Sequence, residues 1–283
     1  MHPPAADIEP RQPQSCGRRT MHPVDGLGLG DGAFLGFVAF VAGGINAVAG
    51  GGSLLTFPAL IAAGLPPISA NVTNTVALVP GYIGGILGHR RDLESQSRQV
   101  RMLLPVAFAG ALIGAVLILT TPARLFRELT PILVFAAAVL MLVQPVIQRR
   151  LVRLHPETGE PLVVERDRAT MIGVFFAAIY GGYFGGVLGV ILLAVLGLTL
   201  TDTLRRLNAL KTVLQFSINI VAVVIFALFG PVRWWIVLIM APLSLLGGWV
   251  GSHLSRRVDP AILRWCIGIY GIICSIALAV FFR

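Results

Sequence analysis

The chain has 283 residues, 56% of them hydrophobic and only 12% charged, and its 22 Lys and Arg against 13 Asp and Glu give a formal net charge of +9. Apolar runs of about twenty residues, separated by short Arg-bearing loops, exclude a soluble globular domain, because a hydrocarbon core about 30 Å thick takes roughly 20 apolar helical residues per crossing. A transmembrane barrel would alternate apolar and polar residues in strands of about ten; no such alternation occurs, and arginines confined to loops set orientation in a membrane rather than bind nucleic acid.

Residues 1–30 are rich in Pro, Gly and Arg and contain no apolar stretch. They are expected to be a disordered cytoplasmic extension, with Met21 as an alternative start. Hydropathy then predicts eight spans, at about 31–62, 72–88, 103–120, 131–148, 170–198, 208–229, 234–253 and 263–282. The first and fifth are too long for one crossing: 32 helical residues would stretch about 48 Å. Each is expected to tilt, break or fold back. Cys16, Cys266 and Cys274 show neither metal spacing nor a disulfide pattern, and no cofactor, metal or catalytic constellation is expected.

Residues 31–150 and 170–283 read as two homologous four-span repeats, joined by a polar cytoplasmic loop at 151–169. Pro105, Gly110 and Gly114 are matched at the same spacing by Pro242, Gly247 and Gly251, and Asn74 is matched by Asn208. An even number of crossings per repeat makes the halves parallel, whereas a re-entrant hairpin or an extra crossing makes them inverted. With a cytoplasmic N-terminus, eight spans put Arg11, Arg18, Arg19, Arg90, Arg91, Arg98, Arg101, Arg149, Arg150, Arg153, Arg166, Arg168, Arg233 and Arg283 on the N-terminal side, and about half as many on the other. The positive-inside rule then predicts both termini in the cytoplasm.

"GGINAVAGGGSLLTFPAL" (43–60) is apolar yet rich in glycine, and Pro58 follows. A helix broken inside a membrane frees backbone groups that only protein or a water-filled cavity can satisfy, and paired broken segments in a duplicated chain point to a transport site. The free N–H groups around Gly50, Gly51, Gly52 and Ser53 can hold an anion. Gly185, Gly186 and Gly189 occupy the equivalent place in the second half. Packing is the competing role of such glycines, and it is the one expected for the pairs Gly81/Gly85, Gly110/Gly114 and Gly247/Gly251.

Lys211, the chain's single lysine, falls just inside the sixth span and either meets an anion or snorkels to the interface. Asn74 and Thr75 begin the second span as helix caps or as substrate contacts. Gln215, one turn beyond Lys211, extends that polar face or bonds between helices. Carboxylates are nearly absent from the spans, which argues against cation transport.

"GGINAVAGGGSLLTFPALIAAGLPPISANVTNT" together with "GGYFGGVLGVILLAVLGL" and "LNALK" resembles the paired signatures of the TauE/SafE family, sulfite exporters also called TSUP, over about residues 31–282. The resemblance implies a multi-pass inner-membrane carrier, surrounded by lipid, for a sulfur oxyanion or organosulfonate such as sulfite, thiosulfate or sulfoacetate. It carries a substrate-lining role onto Gly50, Gly51, Gly52, Ser53, Pro58, Asn74, Asn208 and Lys211. Export is the expected direction. Import would call for a proton or sodium ion as coupling partner, and a homodimer is compatible with the family. The alternatives are a carrier of a non-sulfur organic anion and an anion channel.

Overall fold

The computed structural model describes residues 29–48, 51–88, 96–154, 167–200, 202–254 and 260–282. The expected N-terminal extension, Gly50 and most of the 151–169 loop lie outside them. The described residues form ten helices: α1 (Leu29–Val48), α2 (Ser53–Ala62), α3 (Pro67–Gly88), α4 (Ser97–Thr120), α5 (Ala123–Leu154), α6 (Asp167–Tyr183), α7 (Leu188–Thr199), α8 (Leu204–Phe229), α9 (Trp234–Leu254) and α10 (Pro260–Phe281). Both overlong segments of the sequence are therefore two helices each, α1 with α2 and α6 with α7. Pro58 does not make the first break: α2 runs through it, and the chain turns instead at Gly51, whose φ of +90° only glycine adopts freely.

Eight spans were expected, and six of the described helices, α1, α4, α5, α8, α9 and α10, are long and apolar enough to cross a membrane. The two outside that set explain themselves. In α3 the polar run Asn71–Thr75 dilutes the apolar character, and α6 has only 17 residues. Outward side chains such as Phe37, Phe108, Leu238 and Ile273 are exposed, as a lipid-facing surface requires.

Glycines set how the helices pack. A Cβ built on Gly43 would fall 2.1 Å from the Ser244 carbonyl oxygen, and one on Gly247 would fall 1.8 Å from that of Phe40. Helices α1 and α9 thus touch backbone to backbone. The same holds between α4 and α6, where Gly114 would meet the Ile179 oxygen at 2.1 Å and Gly182 that of Ala111 at 2.3 Å. Lipid tails are as apolar as leucine, so close packing of this kind replaces the hydrophobic drive that joins helices in water.

These contacts also fix directions. Along α1 and α9, Gly36 meets Leu243 and Gly44 meets Gly251, so the two run parallel. Helix α3 runs with α9, since Ser69 Oγ donates to the Pro231 oxygen at 2.7 Å and Ser244 Oγ to that of Ala77 at 2.8 Å. Helices α4 and α6 are likewise parallel, from the Arg98–Asp167 ion pair at 2.9 Å to Gly114 beside Tyr183. Gln96 donates to Asp202 at 3.0 Å, which puts the start of α8 at that same end. Gly230, at the end of α8, lies against Val72 near the start of α3. Helices α1, α3 and α9 therefore start at one face, the near face, and α4, α6 and α8 start at the other, the far face.

Each short helix turns its pair into a hairpin. Gly173 of α6 lies against Val195 of α7, and Gly181 lies against Leu188, so α7 folds back toward the far face. Gly52 lies against the Ala42 oxygen of α1, and α2 folds back toward the near face, where α3 begins. Helices α5 and α10 pack antiparallel, with Ser275 Oγ donating to the Pro131 oxygen at 2.9 Å and Gly268 against Leu142. Since α5 begins where α4 ends, α10 finishes at the near face, where α1 starts.

Backbone contacts this close leave no room for a methyl group. Gly247→Ala and Gly114→Ala are each expected to destabilise the protein by about 1–3 kcal/mol, the usual effect of overpacking. Gly30→Ala, with nothing within 4 Å of the added carbon, should not. Thermal unfolding in detergent micelles checks all three.

Candidate functional site

The two hairpin tips are built alike. At the first, Asn46 Oδ1 accepts from the Gly52 N–H at 2.7 Å. At the second, the Tyr180 hydroxyl donates to the Gly186 oxygen at 2.7 Å. Both braces tie a residue on the incoming helix to one six positions later in the turn. Asn46 and Tyr180, like Gly52 and Gly186, are separated by the 134 positions that separate Asn74 from Asn208. The braces answer a physical demand, because backbone groups freed within an apolar layer must find partners in the protein.

The second tip turns through Gly185 (φ +72°) and Val187 (φ +58°), the latter the one non-glycine with positive φ among the described residues. A β-branched residue in that region is strained. Val187 is buried, and it also faces the first tip: a Cβ on Gly51 would lie 3.7 Å from its Cγ2 and 3.2 Å from Met141 Sδ. Phe57 and Phe184 pack edge to face at 5.4 Å, and Asn71 Nδ2 donates to the Tyr183 oxygen at 3.1 Å. Hairpins entering from opposite faces thus meet tip to tip inside the molecule.

Polar groups gather at that meeting. The Tyr82 hydroxyl of α3 lies near the side chains of Ser53, the first residue of α2, and Gln215 of α8. Gln215 lies in front of Gly189, where a Cβ would come 2.7 Å from its Oε1. Ser53, Tyr82, Gln215 and Gly189 therefore bring both hairpins and both long helices to one place. Lys211, one turn from Gln215 toward the far face, donates from Nζ to Asn208 Oδ1 at 3.2 Å. The Arg264 guanidinium of α10 is close enough to repel it. The described carboxylates, Asp31, Glu128, Asp167 and Asp202, all lie near helix ends. The described residues hold no cluster of metal-ligating side chains.

Of the residues singled out in the sequence, Gly51, Gly52, Ser53, Gly185, Gly186, Gly189 and Gln215 are at the tips, with Lys211 and Asn208 one and two turns away. Gly50 lies outside the described residues. Pro58 is buried inside α2, away from the turn. Asn74 and Asn208 do not form a pair: Asn74 is near the start of α3, beside the end of α8, and Asn208 is at the other end of α8, roughly 30 Å away at 1.5 Å per residue. Asn74 instead accepts from the Thr56 hydroxyl, tying α2 to α3. Thr75 Oγ1 donates back to the Asn71 oxygen within α3 at 3.0 Å. The residues that sequence reasoning missed are Asn46, Tyr82 and Tyr180, and the shared 134-residue offset was the signal for two of them.

The family described as "Sulfite exporter TauE/SafE" matches residues 35–278. The chain is similar to a probable membrane transporter protein of Haemophilus influenzae, 27% identical over 235 residues that cover 82% of this chain and 88% of the relative. It is 32% identical to the probable membrane transporter protein ORF9 of a Sinorhizobium species, over 88% of this chain and 90% of the relative. It is also 32% identical to the probable membrane transporter protein YfcA of Escherichia coli K12, over 84% and 86% respectively. No solved structure matches.

The Thr56–Asn74 bond is buried on both sides. Thr56→Val keeps the shape but leaves the Asn74 oxygen without its donor, and it is expected to lower stability by about 1–3 kcal/mol. Unfolding of the purified variant beside wild type measures this.

Proposed function

Because the chain belongs to the TauE/SafE sulfite exporter family of multi-pass membrane transporters, which are not enzymes, we propose that it is a secondary carrier of a small oxyanion bound where the two hairpin tips meet. The observation that carries this reading is the convergence of Ser53, Tyr82 and Gln215 between the broken segments, with Lys211 one turn away. The start of α2 adds partial positive charge. A cation pathway would need acidic side chains at this depth, and the described carboxylates lie near helix ends. The family description favours a sulfur oxyanion or organosulfonate, such as sulfite, thiosulfate or sulfoacetate, as cargo.

The two halves are best read as an inverted repeat of five helices each, α1–α5 and α6–α10, rather than as parallel four-span units. Three observations support this. The tip braces share one offset, α1 and α6 start at opposite faces, and each first helix packs on the other half's fourth helix, α1 on α9 and α6 on α4. Alternating access then comes from rocking one half against the other around a fixed site.

The hairpin reading also reverses the sidedness expected from eight simple spans. The far-face helix ends and the sequence joining them carry Arg90, Arg91, Arg98, Arg101, Arg149, Arg150, Arg153, Arg166, Arg168, Arg205, Arg206, Arg256 and Arg257. The near face has Arg124, Arg127 and Arg233, besides Arg11, Arg18, Arg19 and Arg283 in the terminal segments. By the positive-inside rule the far face is cytoplasmic, and both termini lie on the opposite side of the inner membrane. Expelling an anion from a negative cytoplasm gains about 2.3 kcal/mol per charge per 100 mV, so export needs no coupling ion.

Two experiments test this reading. In proteoliposomes, wild type should show saturable flux of one sulfur oxyanion from a panel of sulfite, thiosulfate, sulfoacetate and acetate. Lys211→Ala and Gln215→Ala should each raise KM about tenfold or more, the loss of one hydrogen bond to a charged ligand; wild-type kinetics in both would remove the site. For sidedness, a C-terminal alkaline phosphatase fusion should be active and a C-terminal green fluorescent protein fusion dark, whereas the opposite pattern returns the termini to the cytoplasm.

A further inference from the structure

The two tip braces differ in what they leave over. At the second tip, the single O–H of Tyr180 is engaged by the Gly186 oxygen. At the first, Asn46 uses only its oxygen, which accepts from the Gly52 N–H. A carboxamide also carries two N–H donors, and Asn46 Nδ2 is buried with no hydrogen-bond partner among the described residues. Its orientation is not free. Turning the amide over would set N–H against N–H at Gly52, so the Gly52 bond holds Nδ2 in place.

Buried donors are nearly always paired, and one left open beside a candidate site calls for an explanation. What surrounds it points to an acceptor. The two ends of a carboxamide share one carbon, so Nδ2 lies beside the Gly51–Gly52 backbone, just ahead of α2, where the helix dipole presents positive charge. A donor next to a positive helix end suits an anion.

We infer that Asn46 Nδ2 is a direct hydrogen-bond donor to the transported oxyanion. This rests on the carrier reading above and adds to it a division of labour: the first hairpin holds the ligand through a side chain, while the second is closed by its own brace.

The test is flux kinetics in proteoliposomes, with the sulfur-anion panel. Asn46→Asp keeps an oxygen for the Gly52 N–H and replaces the donor with an acceptor. It should raise KM for the transported anion about tenfold to a hundredfold, the range for hydrogen bonds to charged groups. Should Asn46→Asp fail to give monodisperse protein, the uncharged Asn46→Ser is expected to show the same rise. Tyr180→Phe, which loosens the other tip without removing a ligand donor, should lower Tm while raising KM less than Asn46→Ser does. Wild-type KM in the Asn46 variants, or an equal rise in Tyr180→Phe, would overturn the inference and leave the carrier reading standing. A wild type that moves no anion of the panel would overturn both.

Discussion

A polypeptide turned inside an apolar layer must satisfy its own amide groups, and the architecture of this molecule follows from that constraint. In water the broken ends of α1 and α6 would be solvated and cheap. Between lipid-facing helices each freed N–H or C=O needs a partner in the chain. The Asn46–Gly52 and Tyr180–Gly186 bonds and the Asn71–Tyr183 bond meet that need at both tips. Few groups are then left for a ligand, so those that remain carry the specificity.

The tips are also held from outside. Each hairpin's long helix lies along a glycine-lined helix of the other half, α1 along α9 and α6 along α4, with carbonyl oxygens where side chains would otherwise stand. Contacts of this kind are broad and flat, with no knobs to lock rotation. The halves are joined at the far face by polar links, Arg98 with Asp167 and Gln96 with Asp202. The first is exposed, and such a pair contributes little to stability. A link that weak can break and reform as that face opens and closes.

Much of this was legible in the sequence, and the limits are physical. Hydropathy located every long apolar helix because burial in lipid leaves a strong compositional mark. The 134-residue offset and the glycine clusters located the two breaks. What hydropathy leaves open is the number of crossings: α1 with α2, and α6 with α7, are apolar throughout, and composition does not distinguish a long tilted span from a hairpin. The distinction lies in backbone angles at Gly51, Gly185 and Val187. A hairpin in place of a single crossing reverses every later helix, so the side on which the arginines fall depends on that distinction. Asn74 and Asn208, matched in the sequence, lie toward opposite ends of α8. Residues matched by an inverted repeat sit at opposite depths, so equivalence in sequence predicts separation in space.

That rule also accounts for where the chemistry is. Symmetry-equivalent positions share a fold environment without sharing a task. Gly81 of α3 and Gln215 of α8 stand 134 residues apart, yet Gly81 lets α3 approach the Ser244 carbonyl while Gln215 fills the space before Gly189 and reaches Tyr82. Lys211 stands opposite Ala77, and Tyr180 opposite Asn46. At these positions the second half carries the longer side chains, while Asn46, Ser53 and Tyr82 are the polar groups of the first. A perfectly symmetric site would present equal charge to both faces. Here Lys211 and Arg264 lie on the far-face side of the tips, so positive charge stands on that side of the neutral groups at the centre.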